Sequence, residues 1–485
     1  MAGLLDAERT IAEPGYSRWL IPPAALAIHL SIGQVYAFSV FKRALQVHFA
    51  TSLTAIAWIF SIAIVMLGLS AAFLGTWVER NGPRKAMFTS ACCWATGFAI
   101  GAVGIATRQL WLLYLGYGVI GGIGLGVGYI SPVSTLIKWF PDRPGLATGM
   151  AIMGFGGGAL IASPLSVRLM QAFDPQATAP GSVASGDAVM KTFLVLGVAY
   201  FALMMFGTFN VRLPPGSRAA QSRTASLGKA PAKYAPLQTG VNISAANAVR
   251  TPQFWMLWVV LFCNVTAGIG ILEQAAPMIQ DFFRVPAEAG SNAAPAASRV
   301  SAAVAGGFVG LLSMCNMAGR FVWSSTSDIV GRKRIYILYL GLGMVLYALL
   351  ATVGARSTAV FATLAGTILT FYGGGFATIP AYLKDLFGTF QVGAIHGRLL
   401  TAWSAAGVAG PLIVNAIIES RGKPGALTAA DYQPALFVMV GVLAVGFVAN
   451  LFVRSVPTRY HEQTSAGSPP GTGKTAPISL KKVAR

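Results

Sequence analysis

One arginine, Arg320, stands inside a long apolar stretch, eight residues before Asp328. On a helix rising 1.5 Å per residue, the two lie about 12 Å apart along the axis. If the stretch crosses a bilayer, that distance puts the guanidinium near the midplane. A charge there is costly and by default marks a functional site. The planar fork of an arginine matches a carboxylate. Asn316, four residues earlier, shares the helical face and can add a hydrogen bond to the same anion. A second set lies near the start of the chain, where His29, Gly33 and Tyr36 follow one helical stripe. An imidazole titrates near pH 6.5 when unperturbed, so His29 could carry a proton or serve as a hydrogen-bonded structural histidine. Glu273 is a further titratable candidate, near the end of its own apolar stretch. No nucleophile paired with a base and no metal-spaced cluster of His, Cys and carboxylates is found, so neither enzyme chemistry nor a metal or cofactor is expected.

The elements that must hold these residues follow from composition. The 485 residues are 55% hydrophobic and 10% charged, against about 25% charged in soluble domains. Apolar stretches recur at 19–41, 54–77, 86–106, 110–136, 145–168, 191–211, 253–275, 302–324, 335–353, 357–382, 393–417 and 433–453. Each is long enough to cross a hydrocarbon core of roughly 30 Å, and too uniformly apolar for the alternating strands of a barrel. Helices satisfy their own backbone in lipid, so the expected fold class is an all-α membrane protein of twelve transmembrane helices. Many of the 56 glycines lie inside these spans, where small residues let helices approach closely. Cys92, Cys93, Cys263 and Cys315 also fall within spans and read as buried, inert thiols. The opening MAGLLDAERT is partly acidic and does not resemble a cleaved signal peptide.

Charge sets the topology. The net +20 could suggest nucleic acid in a soluble chain. Here most Lys and Arg fall in alternate loops on the side of the two termini, which places both termini in the cytoplasm and leaves no call for nucleic acid. The polar stretch 212–250 divides the spans six and six. The expected divisions are an N-terminal half 1–211, a cytoplasmic linker 212–250, a C-terminal half 251–455 and a disordered cytoplasmic tail 456–485. The loop after span 2, GTWVERNGPRK (75–85), echoes the loop after span 8, SSTSDIVGRKR (324–334). SPVSTLIKWF (131–140) likewise echoes TIPAYLKDLF (378–387), at nearly the same offset. Two unrelated echoes at one offset indicate duplicated halves in the same orientation.

With this pattern the chain resembles the major facilitator superfamily. KWFPDRPGLATG (138–149) and NMAGRFVWSSTSDIVGRKR (316–334) further resemble the oxalate/formate antiporter family, related to the monocarboxylate transporters. The resemblance implies a two-half fold in an inner or plasma membrane, working as a monomer, with a central cavity walled by aromatics from spans 1, 4, 10 and 11. Tyr36, Tyr129 and Tyr372 match such places, with His29 lining the same cavity. It also implies that the inner-loop clusters latch the halves in the outward-open state. Those clusters are Glu79, Arg80, Arg84 and Lys85, with Asp328, Arg332 and Lys333. Lys138, Asp142 and Arg143 would serve the inner mouth. Oxalate exchangers of the family carry a lysine in the middle of span 11. Here Trp403 stands at that place, and no lysine occurs between Gly397 and Pro411.

One intramembrane cation balances one carboxylate. The expectation is therefore a secondary transporter of small carboxylate anions, with formate, lactate or pyruvate preferred over oxalate, and with proton symport or anion exchange. The alternatives are an exporter of larger organic compounds and a non-transporting membrane sensor. A primary pump would need a nucleotide-binding domain that 212–250 is too short to hold. SPPGTGKT (468–475) imitates a phosphate loop without the required glycine, strand or helix, and GYGVIG (116–121) sits inside an apolar span, where helix packing explains it.

Overall fold

The computed structural model describes residues 3–51, 53–178, 184–215, 242–284, 300, 302–421 and 427–461. Twelve long helical segments run through them. The first half contains α1 (Ile21–Ile32, continued by a tighter 3-10 stretch Gly33–Phe41), α2 (Leu53–Asn81), α3 (Pro83–Ala106) and α4 (Leu110–Leu113, Tyr114–Gly121 and Gly122–Trp139), then α5 (Pro144–Phe173) and α6 (Gly186–Asn210). The second contains α7 (Pro252–Phe282), α8 (Ala302–Val330), α9 (Arg332–Val353), α10 (Thr358–Phe387), α11 (Val392–Leu399 and Thr401–Arg421) and α12 (Ala429–Phe452). Eleven stretches of the described residues are long and apolar enough to cross a membrane. The remaining helix, α8, has 29 residues and carries Asn316, Arg320 and Asp328.

Local chemistry accounts for the ends. Prolines open α3, α5 and α7, where their missing N–H costs nothing. Side chains of Ser185, Thr251 and Ser357 accept from free amides at the starts of α6, α7 and α10. A capping box of Thr428 and Asp431 starts α12. The tight turns after α2 and α8 each use a glycine of positive φ, Gly82 at 85° and Gly331 at 94°. Several helices outrun the apolar spans, as α2, α4, α8 and α10 do towards the Asp328 end, where the last two turns carry Glu79, Lys138, Asp328 and Lys384 respectively. Large apolar side chains such as Phe73, Val198 and Val345 point outward, as a lipid-facing surface requires.

The two halves meet along α5 against α8 and along α2 against α11, a pair of contacts that swaps equivalent helices. Glycines bring the backbones together. A Cβ on Gly145 would come within 2.0 Å of the Ser324 carbonyl, and one on Gly397 within 2.1 Å of the Ala71 carbonyl. Gly118 and Gly121 of GYGVIG pack against Ile62 and Trp94, as helix packing predicts. The described ends of the segment 212–250 are anchored. Leu213 exchanges backbone hydrogen bonds with Thr10 and Ala12, and Ile243 donates to Phe387. The central part of that segment, the tail beyond residue 461 and the side chain of Glu273 lie outside the described residues.

Candidate substrate-binding site

Arg320 is fully buried where α8 faces α5 and α10. Its Nε donates to Asn316 Oδ1 at 3.0 Å and one terminal nitrogen donates to the Ile152 carbonyl at 3.2 Å. The other terminal nitrogen, Nη2, has no hydrogen-bond partner within 3.5 Å, and the Tyr36 hydroxyl stands close to the guanidinium. Among the described residues no carboxylate pairs with this guanidinium. Two aromatic rings flank it, Phe155 at 5.7 Å and Phe376 at 5.4 Å from the guanidinium carbon. A Cβ on Gly373 would come within 2.6 Å of Asn316 Oδ1 and 3.1 Å of Arg320 Cγ, so this glycine makes room for both side chains.

The expected aromatics converge here. Trp403 lies 4.5 Å edge-on from Phe376, 5.4 Å from Phe155 and 5.4 Å from Tyr129 between ring centres. Tyr36 meets Phe155 edge-on at 5.0 Å, and its hydroxyl lies 3.4 Å from that of Tyr372. Tyr36 and Tyr372 come from opposite halves and touch across the middle. On the side away from Asp328, Tyr36, Asn316, Ser313, Gly156 and Pro411 line a cavity of about 150 Å³. The hydroxyl of Tyr129 and the indole N–H of Trp403 are buried and unpartnered. Leaving a buried donor unpaired costs about 1–3 kcal/mol, so unpaired donors gathered around an unpaired guanidinium fit a site that awaits a ligand.

His29 departs from the expectation that it lines this cavity. It is fully buried behind Tyr129, stacked on that ring at 5.3 Å. Its Nδ1 meets the Ala151 carbonyl and its Nε2 the Tyr129 carbonyl at 3.1 Å. Phe155, Phe376 and His396, the last a buried ring 5.8 Å from that of Tyr129 with neither nitrogen hydrogen-bonded, were missed in the sequence. The first two stand in GFGGG (154–158) and GGGF (373–376), where single aromatics among glycines mark rings pressed against a neighbouring backbone.

At the far end of the bundle the acidic residues in the last turns of α2 and α8 cap helices of the opposite half. Asp328 accepts from the backbone N–H of Gly145 and Leu146, both at 2.8 Å, at the start of α5. Glu79 accepts from Gly393 N at 3.1 Å, at the start of α11. A carboxylate at a helix N-terminus is favoured by the free amides and the dipole. Within its own half Glu79 pairs with Lys138 at 2.5 Å and accepts from Ser134 at 2.6 Å. Asp328 instead pairs with Arg332, which also reaches Asp385 at 3.2 Å. The structure does not bring the other expected cluster members together. Arg80 and Arg143 are exposed. Arg84 donates to the carbonyls of Leu4 and Phe209, and Lys333 to those of Leu451 and Val453. Asp142 pairs with Arg18 at 2.8 Å. Burial pulls its carboxyl upward, but the Arg18 hydrogen bond and charge outweigh this and hold it below the usual aspartate range.

A family model described as Major Facilitator Superfamily matches residues 24–314. The chain belongs to this superfamily. It is an integral, multi-pass membrane transporter and not an enzyme. The chain is similar to the oxalate:formate antiporter of Oxalobacter formigenes, with 24% identity covering 84% of this chain and 86% of that one. It is also similar to apicoplast pyruvate carrier 1 of Toxoplasma gondii, with 24% identity covering 79% and 73%. Among solved structures it superposes on the major facilitator transporter FucP in the outward conformation, with a TM-score of 0.62 and 14% identity over 91% of this chain and all of that one.

Proposed function

We propose that this protein is a secondary transporter of small monocarboxylates, accepting lactate, pyruvate or formate in preference to oxalate. The observation that carries the reading is the buried Arg320 guanidinium, with one terminal nitrogen free and no carboxylate beside it. A monocarboxylate supplies the missing charge and acceptor together. A dianion would leave a second charge facing Trp403 and the other aromatics with no cation to meet it, and such burial is costly. The similarity to an oxalate:formate antiporter and to a pyruvate carrier supports the carboxylate class.

In this reading the halves 1–211 and 251–455 rock about the midplane site, in an inner or plasma membrane with both termini cytoplasmic. The Glu79 and Asp328 contacts hold the cytoplasmic side closed, and the cavity beyond Tyr36 is the outer approach. The test is uptake of labelled lactate, pyruvate, formate and oxalate into proteoliposomes, with and without a pH gradient. Uptake of a monocarboxylate above oxalate, lost in Arg320→Gln with expression retained, is expected. Oxalate uptake equal to or above lactate would overturn the preference, and unaltered uptake by Arg320→Gln would overturn the site. Stimulation by the gradient marks proton symport, and stimulation by internal carboxylate marks exchange.

A further inference from the structure

The site has two poles of different chemistry. One is the cationic pole of Arg320 with Asn316. The other is neutral: the Tyr129 hydroxyl and the Trp403 indole N–H, both buried and both without a hydrogen-bond partner. The rings of Tyr129 and Trp403 lie 5.4 Å apart, and each meets Phe155, whose face lies 5.7 Å from the guanidinium. Tyr129 is also within reach of the Arg320 charge. The neutral donors come from α4 in one half and α11 in the other, so a ligand touching both spans the two halves. An indole N–H only donates, and a neutral phenol can donate; together they suit an uncharged oxygen acceptor.

Resting on the carboxylate reading above, we propose that the substrates are 2-oxo or 2-hydroxy monocarboxylates. The carboxylate engages Arg320 and Asn316. The oxygen on the adjacent carbon accepts from Trp403 Nε1 and Tyr129 Oη. Formate and simple fatty acids have no such oxygen and leave both donors unpaired, so among the monocarboxylates named above formate is expected to rank below lactate and pyruvate. Oxalate brings a second full charge to a pole where Tyr129, Trp403 and the buried His396 ring stand with no lysine or arginine among them. A site built to hydrogen-bond a substrate oxygen discriminates strongly against the analogue that lacks it, because its own buried groups then stay unpaired.

Lactate and propionate test this directly, since they have the same carbon skeleton and only lactate carries the 2-hydroxyl. In proteoliposomes of the full chain, the ratio of lactate to propionate uptake efficiency is expected to be roughly tenfold or more. Trp403→Phe and Tyr129→Phe each keep an aromatic ring and remove a donor, and each is expected to lower that ratio. Pyruvate against propionate should behave alike. Equal efficiencies for lactate and propionate in the unaltered protein would overturn the proposal, with no variant needed. A ratio unchanged in both variants would overturn it too. Transport of none of lactate, pyruvate, formate and oxalate would instead overturn the underlying carboxylate reading, whereas uptake of formate without lactate or pyruvate would overturn only this proposal.

Discussion

At the scale of single residues, the fork of Arg320 matters as much as its charge. Arg320→Lys keeps a cation but offers a compact point charge on a flexible stem. It is expected to raise the KM for a monocarboxylate on the order of tenfold, with Arg320→Gln abolishing uptake. Initial-rate measurements in proteoliposomes at several substrate concentrations check both. Arg320 and Asn316 were legible in the sequence because a charge in an apolar run is conspicuous and a spacing of four fixes the shared face. The place of His29 was not. A stripe on one helix says which residues point together and not which neighbour lies opposite. Here the neighbours are α4 and α5, whose carbonyls enclose both ring nitrogens.

At the scale of elements, the chain closes with helix starts as much as with ion pairs. Asp328→Asn leaves the start of α5 without its anionic acceptor, and Glu79→Gln does the same for α11. Hydrogen bonds to a charged group contribute about 1.5–3 kcal/mol, so amide exchange at Gly145 and Leu146, or at Gly393, is expected to accelerate about tenfold or more. Exchange read by mass spectrometry over peptides 141–150 and 388–398 would show it; unaltered protection would mean that packing alone holds these ends. A second element-scale expectation concerns Gly373. An alanine there meets the Asn316 carbonyl oxygen at 2.2 Å, so α8 and α10 must separate. Gly373→Ala is expected to weaken substrate binding several-fold, as Asn316 and Arg320 shift together. Competition measurements with lactate would show the change. The sequence marked the acidic residues at the ends of α2 and α8 by their repetition. It could not assign their partners, because Gly145 and Gly393 are silent in composition and act through backbone N–H groups. Pro83 stands where the first repeat would otherwise place a basic residue equivalent to Arg332, and Lys138 from α4 supplies the cation to Glu79 instead.

At the scale of the whole molecule, composition and span length made the helical membrane fold legible, and the echoed loops made its duplication legible. The crossing of α5 with α8 and of α2 with α11 was not legible, since it depends on which glycine faces which backbone. The unpaired Arg320 has an electrical consequence. The empty carrier bears an uncompensated positive charge at its centre, and the carrier loaded with a monoanion does not. Each elementary charge carried through the membrane potential exchanges about 2.3 kcal/mol per 100 mV. When the anion is carried without a proton, as in exchange, reorientation of the loaded form is therefore expected to be indifferent to voltage, and return of the empty form sensitive to it. A valinomycin-imposed potassium potential should change the rate of net uptake while leaving one-for-one exchange of the same acid nearly constant. The carrier would run fastest as a shuttle that never crosses unladen.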